Sequence, residues 1–420
     1  MPVRLLHYSS MSKTYTPSDE ILEKYARLLV RFGLRNRDGS KLKKGSVVRF
    51  DVPDVAKPMY FHLQTEILKA GYNPLGKLLP TDSAEYNISE AFFTHASKAQ
   101  REFFLAIDAK ARIDQMDGRI VILTETLPGA MKNVDPKKVM QKVQANAQYK
   151  KWFLQKIDAG KLNWTLALWG TEAAAREAGI SHRAYWQQII DACYLDCDDP
   201  VKEWERINRT VQKTAKKLSD LKIDSLRVTG PDVDLTVGIG ADRAWRAGGG
   251  NNVPSYEVFT SPDYRRVDGR ISFNRPLYDH YGNLIKGIEL QFKDGVCVKA
   301  TAAENQKALQ QLIKATGGNR IGEFSLTDAR LSRITKFMAD TLYDENTGGK
   351  YGNMHMAIGF ALRGCYQGKK KPKTDKQWDV LGFNDSVIHE DIVSTTDRTV
   401  VATLQDGSER EIYKKGQFLV

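Results

Sequence analysis

The connections between apolar runs change character partway along this chain, and that change constrains its fold more than any other feature. In the first half, short apolar runs at Ser46–Val52, Leu75–Leu79, Arg119–Thr124 and Leu162–Trp169 read as strands. The segments between and after them carry helical spacing, at Ala56–Ala70, Pro136–Ala159, Ala173–Gly179, Arg183–Tyr194 and Pro200–Leu218. Crossovers of that length suit parallel strands, so this half reads as βαβ units around a mainly parallel sheet. A helix precedes them, running from Thr16-Pro17-Ser18-Asp19 to Gly33, with Thr16 as its cap and Pro17 in its first turn. Residues 1–10 lie ahead of it and read as a dispensable extension.

After about residue 222 the connections shorten. Val233, Leu235, Val237 and Ile239 alternate with polar residues, as a half-exposed strand does. Asp294-Gly295 joins apolar runs at Leu284–Phe292 and Val296–Ala300, and Asp406-Gly407 joins Thr399–Leu404 to Arg410–Tyr413. Both are hairpin signals. Leu331, Ile334, Phe337 and Met338 predict a helix over Asp328–Leu342. The fold class is therefore α/β, with an N-terminal βαβ domain (1–222) and a C-terminal α+β domain of mixed or antiparallel strands (223–420).

Charge enters where partners are considered. The 420 residues hold 63 Lys plus Arg against 51 Asp plus Glu, a net charge of +12. The basic residues fall in short separate runs, such as Lys369-Lys370-Lys371, without interleaved aromatic residues. They read as solvated faces, not as a specific nucleic-acid surface. No apolar run approaches the roughly 20 residues a bilayer span needs, and the first ten residues lack a secretory apolar core. Cys193, Cys197, Cys297 and Cys365 are too scattered for a disulfide framework, so a reducing cytoplasm is expected.

Several familiar motifs fail. Gly238-x-Gly240 is followed by Arg243 where a dinucleotide fingerprint needs a third glycine, and the chain has no Gly-Lys-Ser/Thr loop, Gly-x-Ser-x-Gly elbow or His-Glu-x-x-His helix. What remains is a set of carboxylates and histidines in apolar surroundings. His389 and Asp391 are two apart, which places both on one face of a strand. His355 follows a glycine-rich turn, and Glu323 and Glu257 each sit in an apolar stretch bounded by glycine or proline. A carboxylate buried there needs a cation or a dense set of donors.

Four ordered segments, Asn252–Pro262, Asn319–Thr327, Leu342–Asn346 with His355–Gly359, and Asn384–Asp391, together resemble the thermophilic metalloaminopeptidase family. The resemblance runs from Thr16 nearly to the C-terminus. It implies a cytoplasmic homodimer that removes N-terminal residues from peptides with two divalent ions per chain, zinc, cobalt or manganese. Glu257, Glu323 and His389 would hold one ion, and Glu323, His355 and Asp391 the other, with Glu323 bridging and catalytic. Imidazole and carboxylate donors suit all three metals.

The chain departs from the family at Leu362, where the pattern carries a tyrosine seven positions after the histidine. Tyr366 is the nearby candidate to replace that oxyanion donor, with ordinary packing as the alternative. Glu345 is a candidate supporting residue, with a surface position at a helix end as its alternative. Two rival functions stay open: another dinuclear hydrolase of phosphoesterase type, with Arg320 and Arg363 near the motifs, and a non-catalytic basic binding protein.

Overall fold

The computed structural model describes residues 15–35, 39–279 and 282–420; the expected extension at residues 1–10 lies outside them. The first half forms a parallel sheet of β1 (Val47–Pro53), β2 (Asn73–Leu79), β3 (Gly118–Leu123) and β4 (Asn163–Leu168), in the order β2-β1-β3-β4. A short strand from later in the chain, β8 (Asn252–Val253), adds to the free edge of β4. The expected mix of a parallel sheet followed by antiparallel sheets is what the chain builds.

The second half holds two antiparallel sheets. The larger has the order β14-β13-β10-β6-β5-β18-β19-β20. Its strands are β5 (Ile223–Gly230), β6 (Val233–Gly238), β10 (Val267–Phe273), β13 (Ile288–Lys293), β14 (Val296–Thr301), β18 (Thr399–Leu404), β19 (Glu409–Lys414) and β20 (Gln417–Phe418). A separate small ribbon pairs β11 (Leu277–Tyr278) with β12 (Leu284–Ile285). Both Asp-Gly signals are hairpin turns; Asp294 and Gly295 take φ of 49° and 75°, the pair of positive values that twist-matched two-residue turns require.

The smaller sheet orders β17 (His389–Ser394), β16 (Asn353–Gly359), β15 (Ile321–Thr327), β9 (Glu257–Thr260) and β7 (Arg246–Ala247). Every residue of β15 and β16 is buried. Alternation sorts their side chains into two faces. Phe324, Leu326, Met354, Met356, Ile358 and Ile392 enter the core shared with the larger sheet. The opposite face carries Glu323, Ser325, His355 and Asp391.

Core membership crosses residue 222. Val253, Tyr256, Ile334, Met338, Leu342 and Tyr343 join the apolar cluster of the parallel-sheet half, whose other members lie between Leu22 and Ile207. No helix among the described residues is long and apolar enough to cross a membrane, and all four cysteines are free thiols.

Three expected elements differ. The first helix spans Asp19–Leu28 and continues as a π-helical turn over Leu29–Gly33, ending at the expected glycine, but it is capped by Ser18, whose Oγ accepts from the Ile21 N–H at 3.4 Å, so Thr16 and Pro17 stand outside it. The expected helix Pro136–Ala159 is two, Pro136–Ala145 and Ala147–Asp158, broken at Asn146, a poor interior residue that bonds its own backbone readily. Each half packs on a different helix, Lys98–Glu102 and Ala106–Gln115 respectively.

The helix expected over Asp328–Leu342 is absent, and only Thr341–Asp344 is helical. Side chains have taken over that segment's backbone hydrogen bonding. Gln188 Oε1 accepts from the N–H groups of Thr335 and Lys336, and Asp344 accepts from those of Met338 and Asp340. Of the apolar residues that suggested a helical stripe, Ile334 and Met338 enter the first core and Leu331 packs against it from an irregular path.

Candidate metal centre

Four neighbouring strands of the smaller sheet bring the five expected ligands together. The register pairs Glu323 with Ala357 and Ala357 with Asp391, so two carboxylates flank one methyl group on the same face. His355 lies two residues before Ala357, His389 two before Asp391, and Glu257 is paired with Thr327 on the same face of β15. The alanine matters, because a larger side chain there would occupy the space between the two carboxylates.

The distances are close to one another. His355 Nε2 lies 3.4 Å from Glu257 Oε2 and 3.4 Å from Glu323 Oε1. His389 Nε2 lies 3.4 Å from Glu323 Oε2 and 3.6 Å from Asp391 Oδ1. Two groups therefore form, Glu257–Glu323–His355 and Glu323–His389–Asp391, with Glu323 in both. By nearest contact Glu257 is matched with His355 and Asp391 with His389, whereas the resemblance implied His389 for Glu257 and His355 for Asp391; His355 Nε2 also stands 4.0 Å from Asp391 Oδ1. β16, which carries His355, lies between β15 and β17, whereas His389 shares the outer strand with Asp391.

Both imidazoles are aimed by backbone carbonyls. His355 Nδ1 donates to the Glu345 carbonyl at 3.1 Å, and His389 Nδ1 donates to the Phe360 carbonyl at 2.7 Å. A carbonyl only accepts, so each Nδ1 bears hydrogen and each Nε2 is the atom turned to the carboxylates. His355 is wholly buried and Glu323 is 4% exposed. Asp391 Oδ1 is buried without a hydrogen-bond partner among the described residues, although two imidazole nitrogens stand within 4.0 Å of it.

Protons strain to fill these gaps. Burial alone would depress His355, yet bonds to Glu257 and Glu323 hold it well above the usual imidazole range. Burial opposes charge on His389 too, but Asp391 and Glu323 lift it to about 9. Glu257 is pushed up by burial first. For Glu323, burial is outweighed by the bonds from His355 and His389, which hold it down to about 2. Cations sited between these atoms answer the same demand, and the orphaned Asp391 oxygen and carbonyl-anchored rings fit such ions.

Other expected residues behave differently. Glu345 is 6% exposed, so its reading as a surface carboxylate fails. Its Oε1 accepts from Asn252 and Asn346, and burial followed by the fields of Glu257 and Asp391 raises its carboxyl well above normal. Tyr366 donates its hydroxyl to the Lys370 carbonyl at 3.0 Å and packs edge-on against Trp378 and Phe383. As a donor it is committed there. Leu362 donates its N–H to Ser261 Oγ. The arginines that kept a phosphate reading open are also engaged: Arg320 lies over the Tyr264 ring, and Arg363 bonds Asp375 at 2.7 Å.

Sequence reasoning missed two neighbours. Ser255 Oγ donates to Glu257 Oε1 at 3.1 Å, and a Cβ at Gly248 would overlap that hydroxyl. The run Gly248-Gly249-Gly250 was the available signal, since a glycine run often marks close backbone approach.

Comparison with known proteins agrees with this geometry. Residues 18–418 match the family described as thermophilic metalloprotease (M29). Aminopeptidase PepS from Streptococcus thermophilus is 27% identical over 428 residues, covering 96% of this chain and 98% of that one. Aminopeptidase T from Thermus thermophilus is 29% identical over 312 residues, covering 70% and 74%. The solved structure of wild-type AmpT from Thermus thermophilus superposes with a TM-score of 0.80 at 25% identity, covering 95% of this chain and 99% of that one. With the match spanning nearly every residue from the first helix to the last strand, and the carboxylates and imidazoles gathered on one sheet face, the chain belongs to the thermophilic metalloprotease (M29) family.

Proposed function

We propose that the chain is an aminopeptidase whose Glu257, Glu323, His355, His389 and Asp391 hold two divalent ions, and that it removes N-terminal residues from peptides. The observation that carries this reading is Glu323, whose two oxygens face two different imidazoles and so belong to both ligand groups. The relatives named as aminopeptidases support the substrate class. When bound, such a pair polarises a carbonyl and lowers the pKa of water. The chain's own part is to position and exclude. The Glu345 and Phe360 carbonyls lock the two rings, Ser255 holds Glu257, and buried β15 and β16 keep solvent from one side of the cluster. Leu362 has no hydroxyl, so it supplies no side-chain donor for an oxyanion where the resemblance expects a tyrosine.

The test is to strip the protein of metal, assay Leu- and Arg-p-nitroanilide, then restore zinc, cobalt or manganese. Turnover should return with two equivalents of metal by elemental analysis, and an N-acetylated substrate should stay uncleaved. No restored turnover with any ion overturns the reading. Sedimentation velocity tests the accompanying homodimer, which would run as two chains of 47.4 kDa each.

A further inference from the structure

Beside the metal centre, two strands and one loop enclose a further set of oxygens. Alternation puts Ser325 and Thr327 of β15 and Asn353 of β16 on the face that carries Glu323 and His355. Thr327 and Asn353 are register partners, a relation that holds Cβ atoms about 4.5–5.5 Å apart. On its other side Thr327 is paired with Glu257. The loop after the helix Thr341–Asp344 covers this row. The Glu345 carbonyl accepts from His355 Nδ1 at 3.1 Å, and the Thr347 carbonyl accepts from Asn353 Nδ2 at 2.7 Å.

Ser325, Thr327 and Asn353 are wholly buried, and Thr347 is 1% exposed. Yet Ser325 Oγ, Thr327 Oγ1, Thr347 Oγ1 and Asn353 Oδ1 have no hydrogen-bond partner among the described residues. Asn252, whose Nδ2 reaches Glu345 Oε1 at 3.4 Å, leaves its own Oδ1 in the same condition. Buried polar atoms are nearly always partnered, and the exceptions in native proteins call for a water, an ion or a function. Thr327 and Asn353 face each other without bonding each other, so their lone pairs remain for a third party.

The donor chemistry narrows what that party is. All five atoms are oxygens, with no sulfur or imidazole among them, which is the set hard cations take. All five are uncharged, which suits a single positive charge better than a double one. Glu345 adds a buried carboxylate that belongs to neither ligand group, and a cation answers that charge where water does not. We propose that Thr327, Asn353 and Thr347, supported by Ser325, bind one monovalent alkali cation, sodium or potassium, separate from the ions of the metal centre. Waters carried by the cation take the hydroxyl hydrogens.

Melting curves of the full-length, metal-loaded protein in sodium, potassium and tetramethylammonium chloride at equal ionic strength test it. Tetramethylammonium screens charge equally but is too large to fit between strand and loop. The midpoint should stand about 2 °C or more higher in the preferred alkali salt, as for any ligand that binds only the folded chain. Thr327→Val and Thr347→Val each remove one oxygen at nearly constant volume. Both should lose that difference while holding as much divalent metal as the wild type by elemental analysis. Crystals soaked in rubidium chloride should show an anomalous peak in contact with Thr327 Oγ1 and Asn353 Oδ1. If water alone occupies the enclosure, the three salts give one midpoint and the valine variants gain stability in all of them, which overturns the proposal. An alkali effect that survives in both variants overturns it too. No readout involves turnover, so the outcome is independent of the aminopeptidase reading.

Discussion

At the scale of single residues, Glu323 and Ser255 separate ligation from support. Because Glu323 belongs to both ligand groups, Glu323→Ala should lose both equivalents of metal, whereas Glu257→Ala should retain one. Elemental analysis after gel filtration reads the difference. Ser255→Ala removes only the donor to Glu257 Oε1. Loss of a bond that orients a ligand costs about 10–100-fold in metal affinity, so chelator competition should show a loss of that size with the fold intact. These residues were legible in the sequence to different degrees. The five candidate ligands stood out because each interrupts an apolar stretch with a charged or imidazole group, and the family resemblance joined them into one site. Their division into two groups could not, because it depends on which strands are neighbours. Glu345 was misplaced for a related reason: a carboxylate at a helix end is ordinarily solvated, and only the tertiary path buries it.

At the scale of elements, the segment 328–344 shows how side chains can replace a helix. Gln188 is 3% exposed; its Oε1 accepts from Thr335 N, Thr335 Oγ1 and Lys336 N, and its Nε2 donates to the Arg333 carbonyl. Gln188→Leu would leave those backbone groups without partners and should cost about 2 kcal/mol or more in denaturant unfolding. The strands were easier to anticipate, since period-two alternation and Asp-Gly turns act locally. Helical spacing alone was misleading here because Leu331, Ile334 and Met338 reach the core from an irregular chain whose backbone groups are bonded by side chains.

The same segment carries a pH dependence. Burial raises the Asp340 carboxyl to about 6, outweighing the Tyr343 and Leu342 N–H groups that favour its charge, and its Oδ1 has no hydrogen-bond partner among the described residues. An acid whose folded pKa is raised above about 3.9 contributes stability fully present below that value. That contribution is lost as pH rises through about 6. Asp340→Asn should therefore gain about 1–2 kcal/mol on the wild type between about pH 4 and about pH 8. Unfolding curves at the two pH values measure it, and a gap that stays constant or moves the other way contradicts the assignment.

At the scale of the whole molecule, burial sorts the four thiols. Cys193 and Cys365 are wholly buried with thiols pushed up to about 12 by that burial, and Cys297 is raised to about 11. Cys197 is the more accessible one. A thiol reagent should thus modify about one equivalent in the native protein, at Cys197, and four in denaturant, since modification needs an accessible thiolate. Peptide mapping identifies the site. Metal binding should leave that count unchanged, because Cys197 lies outside both candidate ligand groups.

The strand β8 has a consequence for dissection of the chain. It leaves the second half of the sequence to close the edge of β4, and Tyr256 follows it into the first core. A fragment truncated at residue 222 would leave β4 with a bare edge and would lack six apolar residues that the later chain inserts into its core. Expressed alone, such a fragment should aggregate through that edge. Co-expressed with residues 223–420, it should be rescued as a non-covalent complex, as a garment split along a seam can be rejoined only with its matching piece.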